Sequence, residues 1–99
     1  MGKKVIYTST RADSNTPWYY ETSLAENNQA WNDRIQFMID NPEITSSVSS
    51  TDTTLTSVVT FVNESDYNNF AVLTQGTMND VIAYCDDNGI TYDVVVEDI

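Results

Sequence analysis

Ile44-Thr45-Ser46-Ser47-Val48-Ser49-Ser50-Thr51, then Asp52-Thr53-Thr54, then Leu55-Thr56-Ser57-Val58-Val59-Thr60-Phe61-Val62 is the stretch that decides the fold. Eleven of the seventeen residues from Ile44 to Thr60 are Ser or Thr, which suits a linker as well as a pair of strands. The pattern separates the two. Branched side chains such as Thr and Val fit a pleated surface, so Leu55 to Val62 reads as a strand. Ile44 to Thr51 reads as a more polar strand, with Ile44, Ser46, Val48 and Ser50 on one face. Thr51-Asp52-Thr53-Thr54 joins them as a turn, although it lacks an Asn-Gly signal. The segment is a hairpin of one polar and one apolar strand.

Helical signals lie on both sides of the hairpin. Downstream, Asn63-Glu64-Ser65-Asp66 is a helix entry, with Asn63 or Ser65 as the cap. Tyr67, Phe70, Ala71 and Val72 give the first turns an apolar face. Gly76-Thr77 interrupts, and Thr77 opens a second helical piece with Asp80 completing a capping box. Met78, Val81, Ile82 and Cys85 then fall at i, i+3, i+4 and i+7. Asp86-Asp87-Asn88-Gly89 ends that piece, with Gly89 free to turn left-handed. Upstream, a helix is expected from Leu24 to Asp40, capped by Ser23 with Glu26 in the box position. Its stripe is Leu24, Trp31, Ile35, Met38 and Ile39, and Asn41-Pro42 stops it.

Strands close both ends. Val5-Ile6-Tyr7-Thr8-Ser9-Thr10 opens the fold and Ile90-Thr91-Tyr92-Asp93-Val94-Val95-Val96 finishes it. The order is β-α-β-β-α-β over one α+β domain, residues 1–99. That is the split, ferredoxin-like arrangement: a four-stranded antiparallel sheet with both helices on one face. The second and fourth strands lie at its edges. The other sheet face is bare unless a partner covers it.

Composition bounds the function. With 40% hydrophobic residues, two Trp, six Tyr and three Phe, the chain can fold. No apolar run approaches the length needed to cross a bilayer, and no signal peptide is expected. Met1-Gly2 fits the start of a myristoylation signal, but Lys3 and its surroundings argue against one. Cys85 is the one cysteine and reads as a small core residue. There is no histidine, which removes the usual base near neutral pH and a common metal ligand. Fifteen acids face four bases, Lys3, Lys4, Arg11 and Arg34, for a net charge of −11. Phosphate contacts need Lys or Arg clusters, so nucleic acid is not an expected partner, and an anionic membrane would repel the chain. Neutral or basic protein surfaces, or cations, remain. Acidity also maintains solubility.

Candidate sites follow from loop length and residue type. Arg11 to Tyr20 is long for a strand-to-helix connection and carries Trp18, Tyr19 and Tyr20 behind Pro17. Arg, Trp and Tyr dominate many binding interfaces, so Arg11, Trp18, Tyr19 and Tyr20 are the expected partner contacts. Core packing of one or two of these rings is the competing role. Asp86-Asp87-Asn88-Gly89 lacks the alternating ligands and closing Glu of a calcium loop and reads as a helix end. Glu97-Asp98 offers nonspecific attraction for a cation. The Ser/Thr strands offer a hydroxyl-rich face or an edge for strand addition. No phosphate loop, nucleophile elbow, cofactor motif or metal motif appears.

Two stretches carry a resemblance. The first is Val5 to Tyr20: a strand, then Thr8-Ser9-Thr10-Arg11, a polar turn and Pro17-Trp18-Tyr19-Tyr20. The second is Thr56-Ser57-Val58-Val59-Thr60-Phe61, followed by Glu64-Ser65-Asp66-Tyr67-Asn68-Asn69-Phe70. Together they resemble short, uncharacterised acidic proteins of tailed bacteriophages, marine ones especially. The resemblance implies a viral origin and a place in the virion, and it carries over no catalytic residue. The expected function is that of a non-enzymatic structural or interaction protein. It would be a minor virion component that docks through the aromatic loop and a sheet edge onto other virion proteins or copies of itself. An acidic inhibitor, mimicking nucleic acid or blocking a host defence, is the alternative that the charge suggests. A small-ligand or enzymatic domain is the third, and a deep apolar pocket with converging polar groups would favour it.

Overall fold

A four-stranded antiparallel sheet organises the chain in the computed structural model, which describes residues 2–99, with backbone alone at residues 76–78. Its strands are β1 (Lys3–Thr10), β2 (Thr45–Ser50), β3 (Thr54–Phe61) and β4 (Thr91–Asp98), in the order β2-β3-β1-β4. This is the expected ferredoxin-like α+β arrangement, with β2 and β4 at the edges. Val5 pairs with both Val59 and Val96, and Ile6 with Val58 and Val95. Beyond β1, Gly2 and Ile99 exchange backbone hydrogen bonds of 3.3 and 3.2 Å. A Cβ at Gly2 would collide with the Phe61 carbonyl, so the close approach there requires glycine. Met1, and with it the myristoylation pattern, lies outside the described residues.

Registers divide the sheet into two chemically different faces. Val5, Tyr7 and Ser9 share one face with Leu55, Ser57, Val59 and Tyr92, because side chains alternate along each strand. Helices cover this face. Ile6, Thr8 and Thr10 share the other with Thr56, Val58 and Thr60. At the edges, Thr45, Ser47 and Ser49 extend it along β2, and Asp93, Val95 and Glu97 along β4. β2 is exposed along its whole length, as a polar edge strand tolerates. In the hairpin, Thr51 N–H donates to Thr54 O (2.8 Å), and Thr54 N–H donates to Thr51 Oγ1 (3.1 Å).

Two of the expected helices differ from the sequence reading. The first is broken into α1 (Ser23–Glu26) and α2 (Gln29–Asp40). Asparagine side chains compete with the helical backbone, and here two do so in succession. Asn27 Nδ2 donates to Ser23 O (2.9 Å), while Asn28 is extended and its Oδ1 accepts from Trp31 N–H (3.1 Å). Asn28 is therefore the cap of α2, and Ser23 is the first residue of α1. The break separates Leu24 from the residues of α2. Leu24, Ile35 and Ile39 are exposed, and the inward line runs Trp31, Arg34, Phe37, Met38.

The second helix, α3 (Glu64–Asp87), is continuous for 24 residues and passes through Gly76-Thr77. A helical glycine costs about 1 kcal/mol relative to alanine. Anchors on both sides offset that cost: Phe70 before it, Val81 and Cys85 after it, all buried. The expected roles of Thr77 as a cap and Met78 in the apolar stripe lie outside the described side chains. Asn63 caps the entry, with Oδ1 accepting from Asp66 N–H at 2.8 Å. Glu64 and Asp66 sit where the helix dipole favours anions. At the far end Gly89 has φ +68°, and Ile90 N–H donates to Cys85 O (2.8 Å). This is a Schellman closure with Ile90 and Cys85 buried in one cluster.

The core has two parts. One joins Val5, Ile44, Val59, Phe61 and Phe70, with the two phenyl centroids 5.1 Å apart. The other joins Trp18, Tyr19, Ala25, Val81, Cys85 and Ile90. It lies beneath the loop that follows β1.

Candidate functional site

The 11–20 loop is tied down rather than free. Arg11 N–H donates to Thr53 O (2.8 Å), its Nε to Asp52 O (2.7 Å) and its Nη1 to Thr16 O (2.5 Å). Its guanidinium carbon stands 4.2 Å from the Trp18 ring centroid, a cation–π distance. One side chain thus clips the hairpin turn, the loop and the indole together. Asp13 Oδ1 accepts from Asn15 N–H (2.9 Å), a turn typical of Asp. From α3, the Tyr84 hydroxyl donates to Pro17 O (2.6 Å).

This architecture corrects the expected contact set. Trp18 is 3% exposed and Tyr19 is 7% exposed. Both are core, so neither ring presents a docking surface. Tyr19 meets Trp31 and Tyr84 edge to face, with centroids 5.1 and 5.7 Å apart. Its hydroxyl accepts from Asn28 Nδ2 (2.9 Å), which lies at the same distance from Asp80 Oδ2. Tyr20 is 49% exposed, and Arg11 is partly so. Of the four expected contacts, these two retain accessible surface.

Beneath the loop lies a cavity of about 90 Å³. Tyr7, Ser9, Ser57 and Tyr92 line it from the sheet, Trp18 and Tyr19 from the loop, and Thr74 and Val81 from α3. Trp31 and Arg34 enter from α2. Tyr20 also lines it and is the most exposed of its residues. Arg34 lies over Trp31, with the guanidinium carbon 4.6 Å from that ring centroid and 5.8 Å from that of Phe70. Burial lowers its pKa, and the facing phenols of Tyr7 and Tyr92 oppose that change. Arginine titrates so high that it stays charged at neutral pH. Burial pushes the Tyr7 and Tyr92 phenols above their usual value, with Arg34 pulling back.

Arg34 was not singled out from the sequence. Its signal was present, since Trp31, Arg34 and Met38 fall at i, i+3 and i+7, placing a cation on an inward stripe. Cys85 is buried, and burial raises its thiol pKa, which disfavours the nucleophilic thiolate. Asp86-Asp87-Asn88-Gly89 forms the closing turns of α3, as described above. Among the described residues, no three His, Cys, Asp or Glu side chains gather so as to hold a metal ion. No described helix is long and apolar enough to cross a membrane.

The bare sheet face is the second candidate. Ile6, Val58 and Val95 form a continuous cross-strand row, and Ser47 extends it at β2. Threonines flank this row on both sides: Thr45 and Thr60 on one, Thr8 and Thr56 on the other. Lys4 and Glu97 pair in the Thr60 row.

Comparison with known proteins addresses the fold. No family model and no curated protein matches the chain. Among solved structures, the de novo designed protein Foldit4 matches with TM-score 0.50 at 6% identity, covering 98% of both chains. An amidohydrolase/peptidase from Burkholderia cenocepacia matches with TM-score 0.45 at 11% identity, covering 98% of this chain and 27% of its own. A hydantoinase/carbamoylase family amidase from Burkholderia ambifaria gives 0.43 at 10%, covering 97% and 27%. The chain thus spans about a quarter of these enzymes' length. The designed protein supports the sheet-and-helix architecture, and no activity is carried across.

Proposed function

We propose that this chain is a non-enzymatic interaction protein, a minor component of a tailed-phage virion, which docks through its bare sheet face and polar edge. The observation that carries the reading is the Ile6-Val58-Val95 row, an apolar strip between hydroxyl rows with no helix over it among the described residues. The strip gives a partner apolar area to bury, and the flanking hydroxyls give it hydrogen bonds. Exposed β2 adds an edge for strand pairing. The virion setting rests on the resemblance of Val5–Tyr20 and Thr56–Phe70 to phage proteins. A chain of charge −11 favours a neutral or basic partner surface.

Lys4 stands on the proposed contact face and provides the test. Lysine cross-linking of purified particles, read by mass spectrometry, is expected to join Lys4 to a second virion protein. Ile6→Asp should remove that cross-link while leaving the fold intact by circular dichroism. Absence of the chain from particles would reject the virion setting. Persistence of the cross-link in Ile6→Asp would reject the face.

A further inference from the structure

We propose that the cavity under the 11–20 loop is a binding site for a small monocarboxylate with an apolar body, held by the Arg34 guanidinium. This inference is independent of the sheet-face reading. The Arg34 guanidinium carbon lies over Trp31, 4.6 Å from the ring centroid. A guanidinium carries five N–H donors, and a cation–π contact uses up none of them as a hydrogen bond. Among the described residues, both ion pairs belong to Lys3, and Arg34 donates no hydrogen bond. A partly buried charge that lacks an acceptor is costly, and an entering anion relieves that cost.

The surroundings select the kind of anion. A guanidinium fork matches a carboxylate, two parallel N–H donors meeting two oxygens. Among the described residues Arg34 is the one cation lining the cavity, and the chain carries −11 overall, so a dianion such as phosphate is poorly matched. Trp18, Tyr19 and Trp31 line the remainder and call for an apolar body. The hydroxyls of Ser9 and Ser57 add donors from the sheet side. A volume of about 90 Å³ limits the guest to a short aliphatic acid. Benzene occupies an apolar cavity of about 150 Å³, so an aromatic acid is too large and one the size of propionate is suited.

The test uses the intact chain and its own reporters, because Trp18 and Trp31 both line the cavity. Propionate is titrated against tryptophan fluorescence, with backbone amide shifts recorded in parallel. Propionamide serves as the uncharged isostere and inorganic phosphate as the dianionic rival. Propionate should saturate. Propionamide should bind at least about tenfold more weakly, the size of a lost charge-assisted pair. Arg34→Gln should lose at least about tenfold in affinity for propionate, with Arg34→Lys retaining part of it. The comparison of propionate with propionamide decides the matter in the unaltered chain even where Arg34→Gln does not fold. Equal affinity for those two, tighter binding of phosphate, or no saturable response to propionate overturns the proposal.

Discussion

The two faces of the one sheet are built from the same strands, yet they differ as a core differs from a surface. Val5, Tyr7, Val59 and Phe61 point toward the helices, and their immediate neighbours Ile6, Thr8, Val58 and Thr60 point away. Phe61 is fully buried, with Tyr67 and Phe70 against its ring at 5.7 and 5.1 Å. Thr60, one residue earlier, belongs to the hydroxyl-flanked face. A period of two residues is enough to put the core on one side of the sheet and the bare face on the other.

The sharpest way to break this comparison is a pair of substitutions on β3. Phe61→Ala should cost about 3–5 kcal/mol, the range for deleting a buried aromatic ring. Val58→Ala on the bare face should cost roughly 1 kcal/mol or less in the isolated chain. Urea unfolding of both variants measures the difference, and equal losses would mean that the bare face is also packed.

A second pair asks the same question within the loop. Trp18→Ala should lose about 3 kcal/mol or more, because the ring is interior. Tyr20→Ala, two residues on, should change stability by less than about 1 kcal/mol, since surface substitutions rarely do more. Thermal denaturation followed by near-ultraviolet dichroism separates them.

A smaller effect is expected at the α3 cap. Asn63→Ala removes the acceptor for Asp66 N–H and should cost about 1 kcal/mol. Asn63→Asp, which keeps an acceptor, should cost less in the same urea experiment.

The covered face also predicts an alkaline limit. Burial raises the folded pKa of the Tyr7 and Tyr92 phenols above the ordinary 10.0. Their contribution is complete below the unfolded value and is lost as pH rises through the folded one. Stability should therefore fall above about pH 10. Tyr92→Phe should flatten that alkaline limb. A denaturation midpoint recorded against pH for both chains checks it.

Much of the fold was legible where local chemistry and tertiary packing agree. The Thr51–Thr54 turn, the Asn63 cap and the Gly89 stop all depend on backbone groups within a few residues. The rest depended on distant partners. Whether Asn27-Asn28 break a helix is decided partly by Tyr19 and Asp80, which meet Asn28. Whether Gly76 breaks one depends on anchors at both Phe70 and Val81. Composition marked the 11–20 loop as unusual, but Trp18 and Tyr19 face inward because Arg11, Tyr84 and Pro17 draw the loop down. The cavity was less legible still. Trp31, Arg34 and Met38 share one line on α2, but Ile35 and Ile39 offer a more apolar line on the same helix, and they are exposed.

The Gly2–Ile99 pairing has a consequence for how the chain can be wired. Those two residues lie side by side, joined by reciprocal backbone hydrogen bonds. A short flexible splice would connect them without crossing the molecule. The sheet could then be reopened at Thr51–Thr54, whose residues are largely exposed. The reordered polypeptide would begin with the strand that carries Phe61 and end with the polar edge. The Gly2–Ile99 ladder rungs lie away from the cavity under the 11–20 loop, so such a splice would leave that cavity undisturbed.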